Sequence, residues 1–159
     1  MILRDAKQAD APAILALNAE SVHFLSPMDQ ARLAQLAKAS CYLRVVEEEG
    51  EVAAVLLGFR KGADYDSPNF LWFGARFDDF VYVDRVVVSP QFRGRKLADV
   101  LYDDFEAFAR ASGVSCITCE VNVEPPNPVS LKFHERRGFR EIGREGYGVK
   151  TVAMLERVL

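Results

Sequence analysis

Cysteine is scarce in this sequence, with three in 159 residues: Cys41, Cys116 and Cys119. So small and odd a number argues against a disulfide framework. Cys116 and Cys119 form a CxxC, but no second pair accompanies them. They sit in SCITCEV, which reads as a strand, and residues three apart on a strand point to opposite faces. A metal or redox pair needs both thiols on one side, so the expectation is buried structural cysteines. Basic excess is also missing. Twenty Lys and Arg against 23 Asp and Glu leave a net charge of −3, which gives no electrostatic footprint for nucleic acid, so any anion site has to be local. No apolar run approaches membrane-spanning length. The opening MILRDAKQAD carries charges where a signal peptide needs an apolar stretch. The expectation is a cytoplasmic protein with no membrane and no nucleic acid among its partners. Repeats, low-complexity tracts and linkers are absent, as are G-x-x-x-x-G-K-[ST] and any G-x-G-x-x-G after a strand, which disfavours a nucleotide-phosphate site.

What is present suits one α/β domain over residues 1–159: half the residues are hydrophobic and 27% are charged, enough for a core without the composition of a disordered chain. Residues 2–5 read as a short strand, and Asp10 with Pro12 opens a helix to about Ala19. Ser26-Pro27-Met28-Asp29 predicts a second helix, with Ser26 as N-cap and Asp29 at the capping-box position, running to about Ala39. CYLRVVEE and VAAVLLGF around Glu49-Gly50 predict a hairpin. Residues 60–79 lack clean periodicity yet hold Phe70, Trp72, Phe73 and Phe77. Such rings either line an acceptor pocket or pack over the sheet edge. FVYVDRVVV is a strand by its β-branched and aromatic content. Leu97, Leu101, Phe105 and Phe108 then fall at helical spacing up to Gly113. ITCEVNV is the next strand, Asn127-Pro128 opens a helix ending at Gly138, and two apolar stretches finish the chain. A strand–helix–strand order in the middle and hairpins at the ends imply a mixed, strongly twisted sheet of six to seven strands with helices on both faces.

Two segments carry chemistry. Gln91-Phe92-Arg93-Gly94-Arg95-Lys96-Leu97-Ala98 joins a buried strand to a helix N-terminus. Unpaired backbone N–H groups and the helix dipole favour an anion there, Gly94 permits close approach, and three cations lie within four residues. The competing reading is a solvated basic surface loop. The second segment, Asn127-Pro-Val-Ser130-Leu-Lys-Phe133-His134-Glu-Arg-Arg-Gly138-Phe139, is by itself a well-terminated helix.

Taken together the two segments resemble the GNAT superfamily of acyl-CoA N-acyltransferases. The first is similar to the family's Q/R-x-x-G-x-G/A loop, with Lys96 in place of the small last residue. The second resembles N-x-x-A/S-x-x-L/F-Y-x-x-x-G-F, with His134 in place of the usual tyrosine. The resemblance implies acetyl-CoA as co-substrate, its pyrophosphate held by Arg93, Gly94, Arg95, Lys96, Leu97 and Ala98. The pantetheine arm would lie along Val86 and Val88, and an N–H near Val87 would serve the oxyanion of a tetrahedral intermediate. Asn127, Ser130 and Phe133 complete the cofactor set. The implied reaction is direct transfer of the acetyl group to an amine, without an acyl-enzyme. Glu120, Asp84 or Asp79 is then the candidate base, and His134 is either the proton donor to the departing thiolate or a helix-surface residue without a duty. The acceptor pocket is expected from residues 20–30 and 65–80. A non-catalytic acetyl-CoA-binding module on the same fold stays open as an alternative, and a homodimer is admitted.

Overall fold

The computed structural model describes residues 1–21 and 25–159. Seven strands form one sheet in the order β1-β2-β3-β4-β5-β7-β6. β1 (Ile2–Asp5), β2 (Tyr42–Glu48), β3 (Glu51–Arg60) and β4 (Val81–Val88) pair antiparallel in succession. β5 (Cys116–Glu124) runs parallel to β4 and antiparallel to β7 (Lys150–Val158), which carries β6 (Arg140–Tyr147) on the outer edge. The β2–β3 hairpin turns through Glu49 and Gly50, both at positive φ, as a tight two-residue turn requires.

Alternation along β3 decides which helix packs where. Ala54 and Leu56 face α4 (Leu97–Ala111), which contributes Leu97, Leu101, Tyr102, Phe105 and Ala109 to the larger core. Gly58 lies on the same face. A Cβ there would stand 2.7 Å from the Phe105 ring, so glycine is what lets α4 approach the sheet. Val55, Leu57 and Phe59 face the other way, onto α1 (Ala11–Glu20), α2 (Gln30–Ala39) and α3 (Pro68–Gly74). α5 (Pro128–Arg136) begins at Asn127, whose side chain accepts from the Ser130 backbone N–H.

Two expectations need correction. The second helix is capped by Asp29, not Ser26: the Asp29 carboxylate accepts from Arg32 N–H at 2.7 Å, and the helix starts at Gln30. Asp29 immediately precedes the first helical residue, so its carboxylate reaches the N–H three residues on, whereas Ser26 lies four residues before Gln30. Residues 60–79 are also not an irregular loop throughout, since they contain α3, capped by Ser67 with Pro68 in its first turn. Seven residues are too few for periodicity to register against so many aromatic side chains.

The sheet has one built-in defect. β4 and β5 pair only at Val81–Ile117 and Tyr82–Thr118, so beyond these residues the strands part. At the same level β4 bulges: Leu57 pairs with Arg85 and Gly58 with Val83, which leaves Asp84 without a cross-strand partner. The bulge shifts the alternation by one residue. Val81 and Val83 face α4 before it, and Val86 and Val88 after it.

Candidate active site

The parting of β4 from β5 opens a narrow cavity of about 160 Å³. Its walls are Val83 to Val86 on one strand, Cys119 to Asn122 on the other, and Tyr102, Asn127, Ser130 and His134 from α4 and α5. A wider cavity of about 280 Å³ lies on the α3 side, lined by Tyr65, Ser67, Asn69, Tyr147, Lys150 and Val152 among others. The two share Asp84, Arg85, Glu120 and Asn122 as walls. The edge of β4 that β5 leaves unpaired runs from Val83 to Val88, its first four residues line the narrow cavity, and the acidic residues stand where the cavities meet.

Glu120 is the central group. The Tyr82 hydroxyl donates to its Oε2 at 2.6 Å. Burial pushes its carboxyl up to about 7, with the nearby Asp84 charge adding to the rise and the Tyr82 hydrogen bond opposing it. Asp84, one strand away, accepts from the Tyr65 hydroxyl with one oxygen and from Arg85 Nε at 2.6 Å with the other. Arg85 continues to Asn18 Oδ1 at 2.8 Å. Asp84 is thus held in a satisfied buried network, whereas Glu120 keeps one carboxylate oxygen outside its tyrosine bond. Asp79 is elsewhere: it pairs with Arg60 at 2.7 Å on the outside of the sheet and lines neither cavity.

His134 is neither a surface residue nor a cation. It is buried, its Nε2 lies 2.7 Å from the Tyr102 hydroxyl, and its Nδ1 lies 2.7 Å from the Ser130 carbonyl. A carbonyl can only accept, so Nδ1 carries the proton and Nε2 accepts from Tyr102. Desolvation lowers its pKa to about 4, so the imidazolium expected from an unperturbed histidine does not form near neutrality. The thiols are equally restrained. Cys116 and Cys119 belong to the cores on opposite sheet faces, and burial raises Cys116 to about 11 and Cys119 well above its ordinary value.

The basic loop follows β4 and lines neither cavity. Phe92 and Leu97 are buried, while Arg93, Gly94, Arg95 and Lys96 are exposed. Gly94 has φ +82° with open space where a Cβ would project. Lys96, the N-cap position of α4, sits at φ 59° and provides no side-chain cap, which leaves the first N–H groups of α4 open to a ligand. Lys96 is thus a non-glycine residue in the left-handed region. Arg95 turns away, pairing with Glu48 at 3.1 Å and lying over Phe92. Asn127 and Ser130 line the narrow cavity, and Phe133 packs edge-on against Tyr102.

The aromatic segment divides. Phe70 and Phe73 are buried in the core with Phe59, Phe80 and Tyr82, and Phe77 packs beside them. Trp72 seats on Gly143 and donates to Glu145 at 2.8 Å, outside both cavities. Packing, not a pocket, accounts for these rings; the cavity takes Tyr65, Ser67, Pro68 and Asn69 of the same segment. In the 20–30 span, Ser21, Leu25 and Ser26 line one or both cavities, and residues 22–24 lie outside the described residues. Tyr82, Tyr102, Asn122 and Lys150 had no motif to announce them. Only their strand or helix position relative to Glu120 and His134 brings them in.

Residues 5–139 match the model of the acetyltransferase (GNAT) family, and the chain belongs to that family, whose co-substrate is acetyl-CoA. Solved structures share the fold. A ribosomal-protein-alanine N-acetyltransferase from Brucella melitensis is 21% identical over 100% of both chains, with TM-score 0.74. The Chaetomium thermophilum protein Naa20, solved with a bisubstrate analogue, is 16% identical over 100% of this chain and 87% of its own, with TM-score 0.80. The Salmonella typhimurium protein yncA, solved with its cofactor acetyl-CoA, is 20% identical over 99% and 92%, with TM-score 0.72. No curated protein matches the sequence significantly. Among the described residues no helix is long and apolar enough to cross a membrane and no side-chain cluster suits a metal ion. The free edge of β4, the uncapped start of α4 and the open backbone at Gly94 fit the elongated, anionic co-substrate of the family.

Proposed function

We propose that the protein is an N-acetyltransferase that passes the acetyl group of acetyl-CoA directly to an amine, with Glu120 as the general base. The observation that carries this reading is a carboxyl with pKa about 7 at the junction of the two cavities. A base poised near the working pH is ionised often enough to accept a proton and basic enough to hold it. The amine, entering from the wider cavity, loses its proton to Glu120 as its nitrogen bonds the acyl carbon; collapse of the tetrahedral intermediate then breaks the C–S bond, and the coenzyme A thiolate leaves and takes a proton from solvent. Tyr82 orients the carboxylate through its 2.6 Å bond, and Asp84, fixed by Tyr65 and Arg85, raises its basicity by like charge.

Each remaining residue has a defined duty in this proposal. The backbone of Val86 and Val88 binds the pantetheine arm along the unpaired edge of β4, and an N–H near Val87 points to the carbonyl oxygen. Gly94, Lys96, Leu97 and Ala98 hold the pyrophosphate with backbone N–H groups, helped by Arg93. Arg95 contributes through its seat on Phe92. Asn127 and Ser130 wall the sulfur end, with Phe133 supporting Tyr102. Neutral His134 accepts from Tyr102 and so fixes that hydroxyl in the wall of the narrow cavity, with its one proton engaged by the imidazole. The raised thiol of Cys119 argues against an acyl-enzyme on the only cysteine that lines either cavity.

Coenzyme A release from acetyl-CoA with a panel of amines tests the reading. The expected result is amine-dependent release that falls about a hundredfold or more in Glu120→Gln, with acetyl-CoA affinity kept. Tight acetyl-CoA binding without release for any amine would instead mark a non-catalytic binding module.

A further inference from the structure

Among the described residues the wider cavity carries two charges that no neighbour neutralises. Asp84 and Arg85 satisfy each other. Glu120 has only neutral side chains, Tyr82 and Asn69, as hydrogen-bonding partners, and the Lys150 ammonium makes no ion pair or hydrogen bond with any described residue. Beside them is an orphan donor. Asn122 is 6% exposed, lines both cavities, and its Nδ2 has no hydrogen-bond partner. A buried amide N–H without an acceptor costs free energy that a bound oxygen would recover.

The sheet register places these groups in line. Glu120 pairs with Met154 and Asn122 with Val152, so Lys150 follows two residues further along β7 on the same face. From the Glu120 level to Lys150 is about 13 Å along the strand, with Asn122 between them and all three residues lining the cavity. The cavity is also roofed. The Tyr147 hydroxyl donates to Asn69 Oδ1 at 2.8 Å, joining the β6–β7 turn to α3 across the rim. Trp72 adds a second tie through Glu145. A volume of about 280 Å³ under this bridge suits a small molecule.

From this arrangement we infer that the acceptor is a small free amine carrying a carboxylate, of the amino-acid class. Its amine faces Glu120, and its carboxylate is held by Lys150 and the Asn122 amide. The inference rests on the acetyl-transfer reading and names its acceptor.

The test compares common L-amino acids with their carboxamides and with tripeptides beginning with the same residue. Wild type and Lys150→Met are both measured for coenzyme A release. At least one amino acid should exceed its carboxamide about tenfold or more in kcat/KM, the worth of a charge-assisted hydrogen bond. Lys150→Met should abolish most of that preference by raising KM for the amino acid. Its kcat, its KM for the carboxamide and its acetyl-CoA affinity should stay as in wild type. Carboxamides or tripeptides used as well as amino acids, or a preference untouched by Lys150→Met, would overturn the inference. If no amine releases coenzyme A, the transfer reading falls and calorimetry on the coenzyme A complex decides the acceptor class. Amino-acid binding that outweighs carboxamide binding and is lost in Lys150→Met upholds it, and no amino-acid binding overturns it.

Discussion

Glu120 and His134 are both buried ionisable groups, and burial moves them in opposite directions, each toward its neutral form. For Glu120 the folded pKa of about 7 exceeds the ordinary 4.5, so the native state holds the extra proton. Its contribution is favourable below the unfolded pKa and is lost as pH rises from about 4.5 through 7. Glu120→Gln should therefore stabilise the protein at pH 8 by about 1–3 kcal/mol while removing activity, as paired denaturation and turnover measurements will show. Tyr82→Phe deletes the hydrogen bond that lowers the Glu120 pKa, so the acidic limb of the kcat/KM profile should move to higher pH. An unmoved limb would assign it to another group. His134 has a folded pKa of about 4 against 6.5, so stability is present above 6.5 and is lost as pH falls toward 4. Its imidazole nitrogen resonances should show the Nδ1–H tautomer and no titration between pH 6 and 8. A midpoint inside that window would restore the imidazolium as a proton donor.

At the scale of elements, the loop from Arg93 to Lys96 and helix α3 make separable predictions. Gly94 holds φ +82°, so any side chain there is strained, and an aspartate also sets negative charge against the anion site. Arg95 is already engaged with Glu48, and exposed pairs of that kind are worth about 0–1 kcal/mol. Gly94→Asp should thus weaken acetyl-CoA affinity far more than Arg95→Ala, measured by calorimetry. Equal losses would contradict a backbone cradle. Helix α3 is a core element that also borders the wider cavity. Phe73 is fully buried, and Phe73→Ala should cost about 3–5 kcal/mol in chemical denaturation. Trp72→Ala should lower stability through its lost seat on Gly143 and its bond to Glu145, with any KM change for the acceptor confined to loosening of the β6–β7 roof.

For the molecule as a whole, the proposed reading links ligand and fold, because the gap between β4 and β5 that would take the cofactor lies in the sheet itself. β4 and β5 share only two residue pairs, so the native sheet keeps an unpaired edge in its middle. A ligand that binds only the native state stabilises by about 2.7 kcal/mol at a hundredfold excess over its dissociation constant. Acetyl-CoA should raise the melting temperature correspondingly, and hydrogen exchange should slow in Val83–Val88 and in the first turn of α4 more than in β1 or β2. Uniform slowing, or none, would mean the free edge of β4 is not the binding surface.

The sequence by itself determined the elements with strong local signals. These are the hairpin at Glu49-Gly50, the strand 81–88, the helix spaced by Leu97, Leu101 and Phe105, and the Asn127 cap. It also placed the basic loop at a helix start, because glycine, proline and charge spacing act over a few residues. The Asp29 cap was missed because Ser26 offers an equally good local signal, and its carbonyl is claimed by Asn18 and Arg85 from distant parts of the chain. α3 was hidden because its rings are chosen for packing rather than for helix periodicity. Only the tertiary structure decided the site. The bulge at Asp84 sets which β4 side chains face the gap between β4 and β5, and a one-residue shift reverses a strand's faces. Burial fixed the protonation of Glu120 and His134, since desolvation depends on everything packed around a group and on nothing in its immediate sequence. The placing of Glu120, Asn122 and Lys150 along one cavity follows from the β5–β7 register, which joins residues thirty positions apart that no local pattern connects.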